Sequence, residues 1–176
     1  MSYHASVHSD VGILVINANA AVRRMLESHL QRVGHRVAGC GTVTEAQGLL
    51  QDGHWSLLLI DSDLDDGSGY DLLRHERALP DGEQLSIIIT SDRDQPERIL
   101  RALERGADDY ITSPISPAVA IARVSALLAL REHRQDLRSD APMLDLPRLD
   151  RVLRQASGGA AKLNAICDAL RDGLQA

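Results

Sequence analysis

The sequence predicts a doubly wound α/β fold, in which a five-stranded parallel sheet carries helices on both faces and a C-terminal helical extension follows. Short apolar runs alternate with segments whose apolar residues have helical spacing. Continuous runs of this length suit strands that are covered on both faces. Phe is absent and aromatic residues make up only 2% of the chain, so aliphatic residues must fill the core. The strands are predicted at residues 13–16, 35–40, 57–60, 87–89 and 110–111.

Between these runs, apolar residues recur every three or four positions, which predicts helices with one buried stripe each. The last helix is expected to begin near Ser116-Pro117, a cap and first-turn pair. The expected stripes are Val22, Met25, Leu26, His29 and Leu30; Ala46, Leu49 and Leu50; Ile99, Leu100 and Leu103; and Ile121, Val124, Leu127, Leu128 and Leu130.

The 176 residues are enough for one domain of roughly 100–150 residues and a short appendage. We expect a polar tail at residues 1–10, the α/β domain at 11–131, a helix extension and linker at 132–146, and a helical hairpin at 147–176. The hairpin would have Gly158-Gly159 between its helices.

Composition and charge exclude or disfavour several classes of protein. The net charge of −6 disfavours a surface that follows nucleic-acid phosphates. Residues 1–10 lack the apolar stretch of a signal peptide, and no run approaches the ~20 apolar residues of a membrane span. We therefore expect a cytoplasmic protein with no membrane partner, in which Cys40 and Cys167 are reduced and serve as small buried hydrophobes.

Polar residues gather where the predicted strands end, which is where doubly wound sheets place their functional groups. The third strand is followed by Asp61 and the acidic, glycine-containing segment 62–69, and the fourth ends in Thr90-Ser91. The fifth lies between segment 106–109 and Thr112-Ser113-Pro114. Residues 13–16 and 21–24 add two further motifs. All of these motifs occur in the order and at the spacing that a known family has. The chain resembles the receiver domains of bacterial two-component response regulators over residues 11–131.

The resemblance implies roles for three residues. Asp61 occupies the position of the aspartate that accepts phosphate, and Thr90 that of the hydroxyl that bonds the phosphoryl oxygen. Tyr110 occupies the position of the aromatic residue that swings inward when that hydroxyl moves. Such a domain is a signalling module rather than an enzyme.

Three other positions depart from the family pattern. The family has two acidic residues after the first strand, which hold magnesium, and this chain has Asn17 and Ala18. The family also has a lysine before the proline that follows strand five, and this chain has Ser113. Phosphoryl transfer to a carboxylate depends on neutralising charge with a metal and a cation. We therefore expect no magnesium, no cofactor, and a pseudo-receiver that signals without phosphate.

A protein partner or a second copy of the chain is the expected partner, with a twofold homodimer favoured. The resemblance places Asp108, Asp109 and Arg123 at positions that pair across dimers in one subfamily, although Val119 stands where that subfamily usually has Glu. The apolar series Ile121, Val124 and Leu128 is expected to complete a self-complementary patch.

Two alternatives stay open. In the first, Asp61 is a working phospho-acceptor served by a sensor kinase, with Asp63, Asp65 and Asp66 holding a cation by another route. The fluorescence of Trp55 would then change on phosphorylation. Residues 147–176 are alternatively a weak nucleic-acid effector, but they lack a clear recognition helix and any aromatic residue.

Three further patterns are weaker. The series Asp61, Asp63 and Asp65 begins like a calcium loop, but Asp66 stands where Gly is needed and Leu72 where Glu is needed. Segment 67–69, Gly-Ser-Gly, fits the receiver pattern better than a phosphate-cradling motif. The seven His residues lack the spacing of metal ligands.

Overall fold

The computed structural model describes residues 11–91 and 96–139, and side chains as far as Arg134. The tail at 1–10 and segment 140–176, with the expected hairpin, Cys167 and the nucleic-acid alternative, lie outside the described residues. The chain divides into two units, Met1–Arg131 and Glu132–Ala176. The elements below belong to the first unit, apart from the end of the last helix, which extends into the second.

Five parallel strands form one sheet, as the sequence predicts. They are β1 (Gly12–Ile16), β2 (Arg36–Cys40), β3 (Leu57–Asp61), β4 (Ser86–Ser91) and β5 (Asp109–Thr112). Their order across the sheet is β2-β1-β3-β4-β5, and every neighbouring pair is parallel. This is the flavodoxin-like order, in which the carboxyl ends of β1 and β3 flank the switch point of the sheet.

Five helices cover the two faces. They are α1 (Ala20–Arg32), α2 (Val43–Asp52), α3 (Gly69–Arg77), α4 (Pro96–Glu104) and α5 (Pro117–Ser139), with a short 3-10 helix at Gly82–Gln84. Residues of α1 and α5 share one apolar cluster with the sheet, and residues of α2, α3 and α4 share the other. Cys40 is buried in the second cluster. Within the described residues, no helix is long and apolar enough to span a membrane.

Side chains cap the helices that begin close to the carboxyl edge of the sheet. The Asn19 side chain accepts hydrogen bonds from Ala21 N and Val22 N at the start of α1. Thr42 accepts one from Glu45 N at the start of α2. Such caps satisfy backbone donors that have no partner inside the helix. They set the points at which the chain turns from strand to helix.

The buried stripe predicted for α4 is wrong in two of its three residues. Leu100 is 57% exposed and Leu103 is 45% exposed, whereas Ala102 is fully buried and Ile99 packs partly against the core. At 3.6 residues per turn, the row through Ala102 and Ile99 places Leu100 on the opposite side of the helix and Leu103 at its flank. The helix therefore presents leucines to solvent. Leu130 of α5 is exposed for the same reason, because the buried row of that helix runs through Val124 and Leu128.

The apolar series expected to form a dimer patch on α5 also needs correction. Val124 and Leu128 are buried in the cluster that α5 shares with α1 and the sheet, and only Ile121 is partly exposed. A helix that covers a parallel sheet must bury its main apolar row against that sheet. Val124 and Leu128 are therefore core residues of the single chain.

Candidate functional site

Asp61 and Thr90 lie side by side at the carboxyl edge of the sheet. They are paired in the register of β3 and β4, and Ser62 N donates to Thr90 O at 2.8 Å just beyond them. Asp61 is half-buried, whereas Thr90 is buried and its Oγ1 lies 3.5 Å from Ile60 O. The topology thus brings together the carboxylate and the hydroxyl that the sequence analysis selected.

Gly69 allows α3 to begin directly against this edge. Its N–H donates to Ser62 O at 3.0 Å, and a Cβ added at Gly69 would lie 2.0 Å from the Asp61 carbonyl oxygen. Residues Asp63–Leu64 and Gly67–Ser68 pair as a short antiparallel ribbon within the acidic, glycine-containing segment after β3. The glycine-containing segment therefore has a packing role beside Asp61.

Tyr110 of β5 points into the protein rather than toward solvent. It is 6% exposed, and its backbone pairs with Ile89 of the neighbouring strand. Its hydroxyl lies beside that of Tyr70 on α3; burial and this neighbour raise the pKa of Tyr70. Tyr70 was not selected from the sequence, because nothing local marks a residue that contacts a strand forty positions away.

The carboxyl end of β1 offers very little to a cation. Asn17 is 4% exposed, and its Oδ1 already accepts a hydrogen bond of 2.9 Å from Asn19 N. Ala18 has no ligand atom and packs partly against the core. Arg23 Nη1 donates to Asn17 O at 2.6 Å, which brings a positive charge to the same turn. Magnesium prefers hard, anionic oxygen ligands, so these residues do not fit it.

Ser113 follows β5, where its N–H donates to Ser91 O at 2.8 Å. Its side chain is exposed, and the Ser113–Pro114 peptide bond is cis. A serine hydroxyl donates a hydrogen bond but carries no charge. The site therefore has an uncharged group where a lysine would neutralise a bound anion.

The acidic residues after Asp61 are dispersed among different partners. Asp66 accepts hydrogen bonds from Thr44 N and Val43 N at the start of α2, and these bonds lower its pKa. Asp63 accepts a hydrogen bond from Ser62 Oγ at 3.0 Å and pairs with Arg98 Nη1 at 3.3 Å. Residues 11–91 and 96–139 contain no group of three or more His, Cys, Asp or Glu able to hold a metal.

Arg98 is a second residue that sequence reasoning missed. It lies on α4 and reaches across to Asp63, two positions after Asp61. Its side chain is largely buried, while that of Asp63 is mostly exposed. An arginine is always protonated, so it contributes a permanent positive charge to this edge of the sheet. No local motif in the sequence indicates an ion pair between residues so far apart.

The three expected interface residues have partners within the chain. Arg123 Nη1 contacts both carboxylate oxygens of Asp109 at 2.6 Å. The Asp108 carboxylate pairs with Arg77 Nη2 at 2.6 Å and accepts a hydrogen bond from Ile87 N at 2.7 Å. Asp108 therefore connects α3, β4 and the start of β5.

A sheet of this order, with an aspartate ending β3, a hydroxyl ending β4 and an aromatic residue on β5, defines a receiver-type signalling domain. The sequence model of the response regulator receiver domain matches residues 13–125. The chain belongs to this family.

Similarity to curated proteins supports the same family. The chain is 32% identical over 141 residues to the transcriptional regulatory protein GltR of Pseudomonas aeruginosa, a match that covers 80% of this chain and 58% of GltR. It is 31% identical over 116 residues to the phosphate regulon transcriptional regulatory protein PhoB of Escherichia coli, with 66% of this chain and 51% of PhoB covered. The chain thus spans about half the length of these relatives.

Solved structures have the same fold. The BeF3-activated DrrB receiver domain superimposes with a TM-score of 0.61 at 26% identity, covering 68% of this chain and 97% of that domain. A CheY-like receiver domain from Methanospirillum hungatei gives a TM-score of 0.65 at 24% identity, covering 70% of this chain and 98% of its own. Both similarities support the fold of the described domain.

Proposed function

We propose that this chain is a pseudo-receiver, which works in two-component signalling as a protein-interaction and dimerisation module without needing phosphate. The observation that carries the proposal is the chemistry at the end of β1. Asn17 has one side-chain oxygen, which Asn19 N already occupies, and Ala18 has none. With Ser113 uncharged as well, the site lacks both cations that acyl phosphate formation requires.

The buried position of Tyr110 supports independence from phosphate. In the family, the corresponding aromatic residue turns inward as the domain is activated. Here the Tyr110 ring is buried beside Tyr70. A partner that recognises this inward arrangement would bind without a phosphorylation step.

Magnesium at millimolar concentration is expected to leave the melting temperature unchanged and to give no saturable heat in titration calorimetry. The reason is that only a ligand with differential affinity for the folded state raises stability, and no carboxylate is present at Asn17 or Ala18. The variant Asp63→Asn serves as the control for weak binding through the acidic segment. Any saturable heat with wild-type protein would contradict the prediction, and its loss in Asp63→Asn would assign the binding to the acidic segment.

We further propose that two copies of the chain associate through the face formed by α4, β5 and α5. Leu100, Leu103 and Val119 are exposed on this face. A cavity of about 450 Å³ lies between the elements, lined by Ile99, Leu103 and Val119 and by the Asp109–Arg123 pair. Closed twofold symmetry is the commonest homo-oligomeric arrangement, and exposed leucines at one face indicate an interaction surface.

The double substitution Leu100→Ser and Leu103→Ser is expected to weaken self-association at least about tenfold, because burying each leucine contributes about 1.5–3 kcal/mol. Sedimentation velocity over a range of concentrations measures this. Val33→Ser is the matched control, since Val33 is equally exposed but lies at the end of α1. A wild-type protein that stays monomeric at high micromolar concentration would show that the face does not bind a second copy.

A phospho-acceptor role for Asp61, with a sensor kinase as partner, is the second candidate. Arg98 favours it, because its guanidinium pairs with Asp63, two positions after Asp61 in the chain, and so brings one cation to this edge of the sheet. Mass spectrometry after incubation with acetyl phosphate and magnesium distinguishes the phospho-acceptor role from the pseudo-receiver. Stoichiometric labelling of wild-type Asp61, lost in Arg98→Met, would favour this role over the pseudo-receiver.

A further inference from the structure

A cavity of about 440 Å³ opens at the amino edge of the sheet, opposite Asp61. Its walls come from the end of α2, the segment before β3, the carboxyl half of α3, the 3-10 helix and α5. Its volume falls in the range of small-molecule sites. The lining side chains that decide its chemistry are Trp55, Glu76, Leu79, Asp81, Leu85 and Arg131.

Glu76 occupies a position on α3 where an apolar side chain is expected. Leu72 and Leu73 are buried in the core, and Glu76 lies on the same row of the helix, four and three positions later. Glu76 is itself only 6% exposed. Charged residues are almost never buried to this degree unless they are paired. A glutamate in this row therefore calls for a partner.

Glu76 has no such partner among the described residues. Its carboxylate makes no hydrogen bond or ion pair with residues 11–91 or 96–139. Burial raises the pKa of Glu76, and His75 is the one charged group that opposes this shift. The Glu76 oxygens are not among the unpartnered polar atoms that are sealed from solvent, so they reach accessible space. Because the rest of the residue is buried, that space is the cavity which Glu76 lines.

The accessible charge of the cavity is negative. Asp81 adds a second carboxylate, which is exposed and keeps its charge while it accepts a hydrogen bond from Gln84 Nε2 at 2.9 Å. Arg131 is the only arginine or lysine among the described lining residues, but its Nε and Nη1 atoms are sealed from solvent. Burial alone shifts the pKa of Arg131, so no carboxylate of the cavity lies close enough to pair with it.

Trp55 gives the cavity an ordered aromatic wall. Its Nε1 donates to Leu49 O at 2.8 Å. The Arg36 guanidinium, which does not line the cavity, lies 4.9 Å from the ring centroid and holds the ring from outside. Leu79 and Leu85 add apolar surface. An ordered ring with leucines suits the apolar body of a ligand, while a few polar groups orient it.

We propose that this cavity binds a small organic amine as its ammonium ion, with the cationic group on Glu76 and the apolar body against Trp55. An ammonium group has a positive charge and several donors, so it supplies the partner that the buried carboxylate lacks. Two carboxylates disfavour an anionic ligand, and the apolar wall offers nothing to a hydrated metal ion. The site lies away from the Asp61 edge and is independent of the function proposed above.

Trp55, the only tryptophan in the chain, reports occupancy directly. Benzylamine, which is protonated at neutral pH, is the probe, titrated into the full chain while Trp55 emission and the melting temperature are followed. Benzyl alcohol, which has the ring without the charge, and methylammonium, which has the charge without the ring, are the comparison ligands. We expect a saturable change in emission and a higher melting temperature with benzylamine, and neither with the other two.

Glu76→Gln removes the charge and keeps the shape of the side chain. Glu83→Gln is the matched control, because Glu83 is an exposed residue of the 3-10 helix that does not line the cavity. Loss of a charged hydrogen bond predicts a benzylamine affinity about 10- to 100-fold weaker in Glu76→Gln and unchanged in Glu83→Gln. Without ligand, Glu76→Gln should melt about 2–4 °C higher, because a buried carboxylate without a partner is gone.

The proposal is overturned if wild-type protein shows no saturable response to benzylamine up to about 10 mM, or if benzyl alcohol or methylammonium acts as well as benzylamine. Equal benzylamine affinity in wild type and Glu76→Gln would also overturn it. A lower melting temperature of ligand-free Glu76→Gln would show that the protein itself holds the carboxylate, with the same consequence. The comparison of the three ligands uses wild-type protein alone, so it decides the matter even if a variant folds poorly.

Discussion

The triple variant Asn17→Asp, Ala18→Asp and Ser113→Lys is expected to raise acetyl-phosphate labelling of Asp61 at least about a hundredfold over wild type. Two carboxylates would restore the ligands for magnesium, and lysine would supply the cation after β5. Each tenfold in rate corresponds to about 1.4 kcal/mol of the barrier, so restored charge neutralisation worth a few kcal/mol is sufficient. Mass spectrometry of intact protein with magnesium present measures the rate.

Single replacements are expected to have little effect, because groups that act as a unit are strongly non-additive. Asn17→Asp alone leaves Ser113 uncharged, and Ser113→Lys alone leaves the metal ligands absent. Adding Asp61→Asn to the triple variant is the control that ties labelling to Asp61. An unlabelled triple variant with a normal melting temperature would mean that the loss lies elsewhere, for example in the Arg98–Asp63 pair.

Replacing Arg77 by methionine is expected to lower the free energy of unfolding by about 2–4 kcal/mol. Arg77 Nε donates to Gly106 O at 2.7 Å, Nη1 to Gly82 O and to Leu85 O, and Nη2 to Asp108. The Arg77–Asp108 ion pair is largely buried, with 17% of the Arg77 side chain and 28% of the Asp108 side chain exposed. Removing the arginine leaves the carbonyls and a carboxylate without their partner.

Urea unfolding followed by circular dichroism measures this change. Arg74→Met is the matched control on the same helix, because Arg74 pairs with Asp71 in an exposed ion pair. The control should change stability by no more than about 0.5 kcal/mol. The loss in Arg77→Met should also be independent of protein concentration. A loss that appears only where the protein self-associates would favour the interface role expected of Asp108.

The sheet and the site at its edge were predictable from local sequence. Strands buried on both faces have to be continuous apolar runs, so residues 57–60 and 87–89 marked β3 and β4. Parallel strands end at one edge, so Asp61 and Thr90 had to lie close together. The absence of a carboxylate at Asn17 and Ala18 was equally visible, since it depends on residue type alone.

The row of side chains that each helix buries against the sheet was less predictable. In α4, Ile99, Leu100 and Leu103 have helical spacing, but they cover too wide an arc to say which row the sheet buries. The fold selected the row through Ala102, which left Leu100 and Leu103 exposed. In α5, the same selection buried Val124 and Leu128, and so removed them from the expected dimer patch.

By itself, the sequence determined the class of fold and the order of strands and helices. It also determined that Asn17 and Ala18 supply no carboxylate and that Ser113 supplies no positive charge. These follow from hydrophobic period and residue type, which are local properties. Only the tertiary structure decided that Arg98 pairs with Asp63 and that Asp108 pairs with Arg77. Such pairings join residues far apart in the chain, and their geometry exists only once the helices have packed on the sheet.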